Sequence, residues 1–320
     1  MKLQTKIPLH PAACQIDYQS HLLLLGSCFI KNIGNKLDYF KFQSLQNPFG
    51  ILFHPLAIES LISKAIKQEI YSESAAFFLN ERWHSYDAHS DLSDPSKEKL
   101  LQKLNEGLQN TYQQITKSTH VIITLGTAWV YKNAKTNSVV TNCHKVPQNE
   151  FSKELLSVAD IQKSLESIIE HIQSINKKIC FVFTVSPVRH LKDGFIENQR
   201  SKAHLITAIH ELLSVRMESR NSTYFPSYEL MMDELRDYRF YDVDMVHPNQ
   251  VAIGYIWEKF GEVWISPNAR AIMEKVDTIQ KGQKHRPFNP DSEQHKAFLK
   301  SLETKIAYFK EAYPFMKFSK

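Results

Sequence analysis

The chain has 320 residues, 42% of them hydrophobic and 23% charged, which suits one large or two modest globular domains and argues against disorder. Its net charge is +5, but Lys and Glu are interspersed and no basic block stands out, so nucleic acid is not an expected partner. No apolar run approaches the ~20 residues of a membrane helix, and the N-terminal MKLQTKIPLHPAACQ lacks an apolar core of signal-peptide length, so a cytoplasmic protein without membrane contact is expected.

Taken in chain order, the pattern alternates strand and helix. Leu22–Leu25 is an apolar run that reads as a buried strand ending at Gly26. Apolar residues at Phe29, Ile30, Ile33 and Leu37 follow at helical spacing. Tyr39–Leu45 roughly alternates and reads as a second strand, and Leu56–Lys67 as a helix. Ala75–His89 is aromatic and irregular, a hairpin or an insertion, before a helix over Lys97–Ile115. Val121–Leu125 is a second buried strand, stopped by Gly126. From Asp160, apolar positions Ile161, Leu165, Ile168, Ile169, Ile172 and Ile175 form one helical face. Cys180–Val185 reads as a third buried strand, stopped by Ser186-Pro187. A helix over Ala203–Met217, a short strand over Tyr224–Tyr228 and a helix over Val251–Trp264 complete the main domain, residues 1–265. Beyond it, residues 266–320 turn polar and basic; QKGQKHRPFNPDSEQ resembles a linker, and Ala297–Phe309 an amphipathic helix packed on the main domain.

Fully apolar strands separated by amphipathic helices imply a parallel sheet covered on both faces, with the site beyond the carboxyl ends of its strands. The loops after Leu25, Leu125 and Val185 should therefore converge. Ser27 and Cys28 sit where the first strand turns into a helix, whose unpaired N–H groups can meet a developing negative charge. Asp244 precedes His247 by three residues, a spacing that lets a carboxylate orient an imidazole and leaves the imidazole to deprotonate a nucleophile from another loop. The four cysteines, Cys14, Cys28, Cys143 and Cys180, are far apart with no C-x-x-C pair and read as free thiols. No metal-ligand spacing and no glycine-rich phosphate loop occurs, so no metal and no cofactor are expected.

Gly26-Ser27-Cys28-Phe29-Ile30, Asn47-Pro48-Phe49-Gly50, Thr124-Leu125-Gly126-Thr127-Ala128-Trp129 and Asp244-Met245-Val246-His247-Pro248, in this order, resemble the SGNH/GDSL hydrolase superfamily, and more closely the GSCFA family. The resemblance implies a flavodoxin-like three-layer α/β/α fold and ester or acyl-transfer chemistry. Setting the superfamily's Gly-Asp-Ser-Leu on Gly26 places its nucleophilic Ser on Cys28; the rival register makes Ser27 the nucleophile. A thiol at a helix N-terminus beside a His has its thiolate favoured. The superfamily's Gly-x-Asn-Asp, whose Asn donates to the oxyanion, corresponds to Gly126-Thr127-Ala128-Trp129, where both Asn and Asp are missing. Candidate replacements are Asn47, the Gly50 amide, Trp129, Asn142 and His144, with Arg189 or His190 for an anionic or sugar substrate. Ser201-Lys202 opens a helix in this reading, and Trp83-His84 with Asp87 and His89 are candidates for lining a cleft. The expected enzyme is an esterase or acyltransferase acting on a small or carbohydrate ester through Cys28 or Ser27, His247 and Asp244. The alternative is a degenerate relative that binds a glycan or a protein.

Overall fold

In the computed structural model, which describes residues 4–216 and 221–318, strand β1 (His21–Gly26) leads into helix α1 (Cys28–Tyr39). There follow β2 (Gln43–Gln46), α2 (Pro55–Ile66), a hairpin of β3 (Phe77–Leu79) and β4 (Arg82–His84), α3 (Lys97–Lys117) and β5 (His120–Leu125). An antiparallel insertion of β6 (Trp129–Asn133), β7 (Val139–Val140) and β8 (Phe151–Leu155) precedes α4 (Val158–Ile175), β9 (Cys180–Val185), α5 (Phe195–Val215) and β10 (Ser222–Phe225). The single turn α6 (Ser227–Glu229), α7 (Gln250–Trp264), α8 (Pro267–Lys284) and α9 (Glu293–Ala312) complete the order.

Five strands form one parallel sheet in the order β10-β9-β5-β1-β2. Alternation along each strand sends neighbouring side chains to opposite faces. Leu22, Leu24, Ile122 and Val182 pack with residues of α1, α7 and α8, whereas Leu23, Leu25, Val121, Ile123, Phe181 and Phe183 pack with α2 to α5. The result is the three-layer α/β/α fold expected, with the strand order of flavodoxin-like sheets and a helical C-terminal region. The chain leaves β1 for β2 on one side and continues to β5 on the other, so the order reverses between β1 and β5, and Gly26 and Gly126 stand at that point.

Several expectations need correcting. The second strand begins at Gln43, because Tyr39 is the last residue of α1 and Lys41 turns the chain with φ 64°. The antiparallel sheet of β6, β7 and β8 was not anticipated. Helix α5 starts at Phe195, so Ser201 and Lys202 lie inside it rather than opening it; Met217 lies outside the described residues. The stretch resembling a linker is helical up to Lys284, and residues 285–292 alone join α8 to α9. Met273, Val276 and Ile279 of α8 are buried with α1 and α7, and Tyr39 Oη donates to Asp277 Oδ1 at 2.8 Å, so this region is packed on the main domain.

The free-thiol expectation fails for two cysteines: Cys14 and Cys180 form a disulfide, whereas Cys28 and Cys143 are free. The bond ties the N-terminal segment to the start of β9 over a sequence separation of 166 residues. Among the described residues no helix is long and apolar enough to cross a membrane. In the chain-entropy picture, closing so long a loop contributes up to about 5 kcal/mol. Urea unfolding of oxidised protein is therefore expected to show a higher midpoint than that of the Cys14→Ser, Cys180→Ser double variant; coincident curves would mean that the bond does not constrain the unfolded chain.

Candidate functional site

Gly26 sets the geometry of the site. Its φ is 134°, and a Cβ there would lie 2.1 Å from the Thr124 carbonyl oxygen of β5. Only glycine lets β1 approach β5 so closely and still turn. Ser27 N–H then donates to that same oxygen at 3.0 Å, and α1 begins at Cys28.

The two candidate nucleophiles part company here. Ser27 is fully buried, and among the described residues its Oγ has no hydrogen-bond partner. Cys28 is half-buried, and its Sγ lies 3.7 Å from His247 Nε2. On the other side of the imidazole, Nδ1 is 2.6 Å from Asp244 Oδ2. Asp244 Oδ1 accepts the N–H groups of Val246 and His247, both at 2.9 Å, so one carboxylate closes the turn and holds the ring. These bonds, those to His247 first, hold the Asp244 carboxyl down at about 2. The pair is half-exposed, and exposed ion pairs add only about 0–1 kcal/mol. Its value is therefore orientation rather than stability. Met245, within the turn, has φ 57°, and its carbonyl accepts a bond from Arg189 Nη2. Arg189 also stacks over Tyr241, 4.5 Å from the ring centre. The structure thus places Arg189 against the Asp244–His247 turn.

Contrary to the expectation of a favoured thiolate, the Cys28 thiol is raised: burial is the largest cause, and Lys202 and the backbone N–H groups of Cys28 and Phe29 offset only part of it. Lys202 is the residue that sequence reasoning undervalued. It is completely buried, and its Nζ donates to the carbonyls of Gly126 (2.7 Å) and Ser186 (2.8 Å), the loops leaving β5 and β9. Desolvation lowers its pKa to about 7. A signal was present: Asn198, Ser201, Lys202, Leu205, Ala208, Ile209 and Leu212 form one buried stripe, so extending the apolar face of α5 backwards places Lys202 inside.

The residues expected to bind the oxyanion have other partners. Asn47 Oδ1 accepts from Gly26 N–H at 2.9 Å, and Gly50 N–H donates to Asn47 O at 2.8 Å. Gly126 and Thr127 N–H both donate to Phe53 O. Trp129 Nε1 donates to Glu197 O at 3.2 Å, under the Lys153 ammonium. Asn142 Oδ1 accepts from His144 N–H, and the buried His144 ring meets Ser90 Oγ and Ser85 O. Of the cleft candidates, Asp87 pairs with Lys64 and Trp83 lies under Lys97, while His84 Nε2 is 3.2 Å from Leu79 O.

A cavity of about 580 Å³ opens beside Gly126, walled by Phe53, Thr127, Trp129, Tyr131, Asn142 and His190 among others. It joins the carboxyl end of the sheet to the antiparallel insertion, and its mixture of aromatic rings and polar groups suits a polar organic ligand. A larger hollow of about 980 Å³ lies between the N-terminal segment and residues 233–240; Cys28, Asp244 and His247 line neither of the two, but the smaller one includes His190 and Thr127 beside Gly126.

Lys202 gives the site a pH signature. Its pKa is about 7 in the folded chain and about 10.4 when unfolded. Below 7 both states hold the proton. Between 7 and 10.4 only the unfolded chain does, so this group makes stability rise with pH, by up to about 1.4 kcal/mol per pH unit. Chemical denaturation is expected to show wild type gaining on Lys202→Met between those limits; a constant gap would mean that Lys202 stays charged.

No functionally curated protein matches this chain. The profile of the GSCFA family matches residues 21–260, and that of the GSCFA domain protein, C-terminal domain, matches residues 276–320. With three quarters of the chain covered by the first match and the motif-bearing turns at Gly26 and Asp244 within it, the protein belongs to the GSCFA family.

Proposed function

We propose that the chain is an SGNH-like acyl-ester hydrolase or acyltransferase in which Cys28 is the nucleophile, His247 the general base and Asp244 the residue that orients it. The observation carrying this reading is the line Cys28 Sγ, His247 Nε2, His247 Nδ1, Asp244 Oδ2, with separations of 3.7 and 2.6 Å across the ring. Nucleophile, base and orienting group in that sequence are what covalent acyl transfer requires. The strand order and the position of the Asp-x-x-His turn just before α7 support descent from the SGNH superfamily.

In the reaction, Sγ attacks the ester carbonyl as the thiol proton passes to His247 Nε2. Collapse of the tetrahedral intermediate breaks the bond to the alcohol oxygen, which takes the proton back from His247. The thioester left on Cys28 is then attacked by water or by an acceptor alcohol as His247 again receives the proton; the second tetrahedral intermediate breaks its C–S bond, and His247 returns the proton to Sγ. The rings of Phe53, Trp129 and Tyr131 beside polar Asn142 and Thr127 support an acylated carbohydrate as substrate, since sugars combine apolar ring faces with hydroxyls. A second reading, a degenerate relative that binds a glycan or protein without turnover, is favoured by the replacement of Gly-x-Asn-Asp with Gly126-Thr127-Ala128-Trp129.

A cytoplasmic setting is part of the first reading, and glutathione would there hold Cys14 and Cys180 as thiols. That setting and the disulfide of the structure oppose each other, and alkylation under denaturing quench of fresh cells decides between them: label on Cys14 without reduction supports the cytoplasmic setting, and label only after reduction supports an oxidising compartment.

Incubation with p-nitrophenyl acetate followed by peptide mass spectrometry is expected to find the acyl group on Cys28. Cys28→Ala should abolish acylation, His247→Ala should slow it by about 10²–10⁴-fold, and Ser27→Ala should retain it. Acylation that survives Cys28→Ala but not Ser27→Ala would overturn the assignment of the nucleophile. A wild-type Cys28 no more reactive than in denatured protein would favour the binding reading.

A further inference from the structure

Every enzyme that forms a tetrahedral oxyanion needs donors aimed at it, and each is worth about 2.7–4 kcal/mol of transition-state stabilisation. Here the Asn that the superfamily uses is absent, and Gly50, Gly126, Thr127, Trp129 and His144 have other partners. Among the described residues, several buried polar atoms at the carboxyl end of the sheet do not, Ser27 Oγ and Thr124 Oγ1 among them, and one of these belongs to an imidazole. His190 Nε2 is buried and, among the described residues, has no hydrogen-bond partner. An unpartnered polar atom is destabilising where it is buried, so its retention calls for an explanation.

Its position supplies one. A Cβ built on Gly126 would lie 3.2 Å from His190 Nε2 and 3.2 Å from Ser27 Cβ, so the imidazole nitrogen and the residue preceding Cys28 flank the same glycine. The backbone of His190 is fixed by a 2.8 Å bond from its N–H to Asn198 Oδ1, on the buried stripe of α5. Its ring stands edge-on to Phe53, with centroids 5.7 Å apart, and forms part of the wall of the 580 Å³ cavity. The ring therefore borders both that cavity and Gly126, the glycine that Ser27 also flanks.

We propose that His190, through Nε2–H, is the oxyanion donor that stands in for the missing Asn, working with the backbone N–H groups at the start of α1. The proposal rests on Cys28 being the nucleophile. As Sγ bonds to the carbonyl carbon, the π electron pair moves onto the carbonyl oxygen, and His190 holds that oxygen by a hydrogen bond without giving up its proton. The pair returns when the bond to the leaving alcohol breaks. His247 alone carries the proton from thiol to alcohol.

The electrostatics agree with this division of labour. Burial, with the positive charge of Lys202 and the proximity of His247, lowers the His190 pKa to about 3. The ring is thus neutral across the physiological range, and a neutral imidazole donates an N–H without becoming a competing acid. Polarisation of a carbonyl by a neutral imidazole is an established catalytic device. His190 and His247 are two imidazoles with separate roles, set apart by burial.

Two reactions of the same thiol separate this proposal from the reading beneath it. Acylation by p-nitrophenyl acetate passes through an oxyanion, whereas alkylation by iodoacetamide does not. His190→Ala is expected to reduce the acylation rate of Cys28 by about 10²–10³-fold and to leave its alkylation rate unchanged. His190→Gln, which restores an N–H of similar reach, should recover part of the acylation rate, and its thermal melt checks that the fold is intact. Equal loss in both reactions, or no loss in acylation, overturns the role of His190 while leaving Cys28 as nucleophile. Absence of any acyl group on wild-type Cys28 overturns the reading of the site and this inference with it.

Discussion

The contact on which the site depends is the approach of Gly26 to the backbone of β5. A side chain of any size at residue 26 would collide with the Thr124 carbonyl, so β1 and β5 can lie in register to their very ends only because that atom is missing. The same carbonyl receives the N–H of Ser27, which turns the chain and launches α1 with Cys28 as its first residue. The position of Cys28 Sγ follows from that one turn. The second half of the site arrives from more than two hundred residues away, on a loop closed by Asp244 and held by Arg189.

Beneath this surface lies a buried ammonium. Lys202 joins the carbonyls of Gly126 and Ser186, the two loops that cover the carboxyl ends of β5 and β9. A lysine without a carboxylate partner is an expensive way to tie two loops, since burial disfavours its charge. What it provides besides the tie, while protonated, is a positive potential next to Cys28 that opposes part of the rise burial imposes on the thiol.

How much of this was legible in the sequence follows from the range of each signal. Leu22–Leu25, Val121–Leu125 and Cys180–Val185 are apolar throughout because both faces of the sheet are covered, and such runs are readable without a structure. The Asp244–His247 spacing is local and equally plain. The choice between Ser27 and Cys28 was open, because adjacent residues at a turn can exchange burial with a small change in backbone direction. The Cys14–Cys180 bond and the short β6–β8 sheet depend on partners distant in sequence or on edges of two to five residues, which periodicity does not resolve. Lys202 was hidden by its charge, although its place on the α5 stripe was written in the spacing.

Helix α1 has Cys28 at one end and Tyr39 at the other, about 18 Å away along twelve residues. Tyr39 is gripped from both sides of its backbone and ring by the C-terminal region, through Asp277 and Gln280 of α8. A rigid rod clamped at its far end has little freedom to swing at its near end. The C-terminal extension therefore braces the helix that begins at Cys28. The boundary near residue 265 marks a change in composition, and a chain cut there would lose that brace.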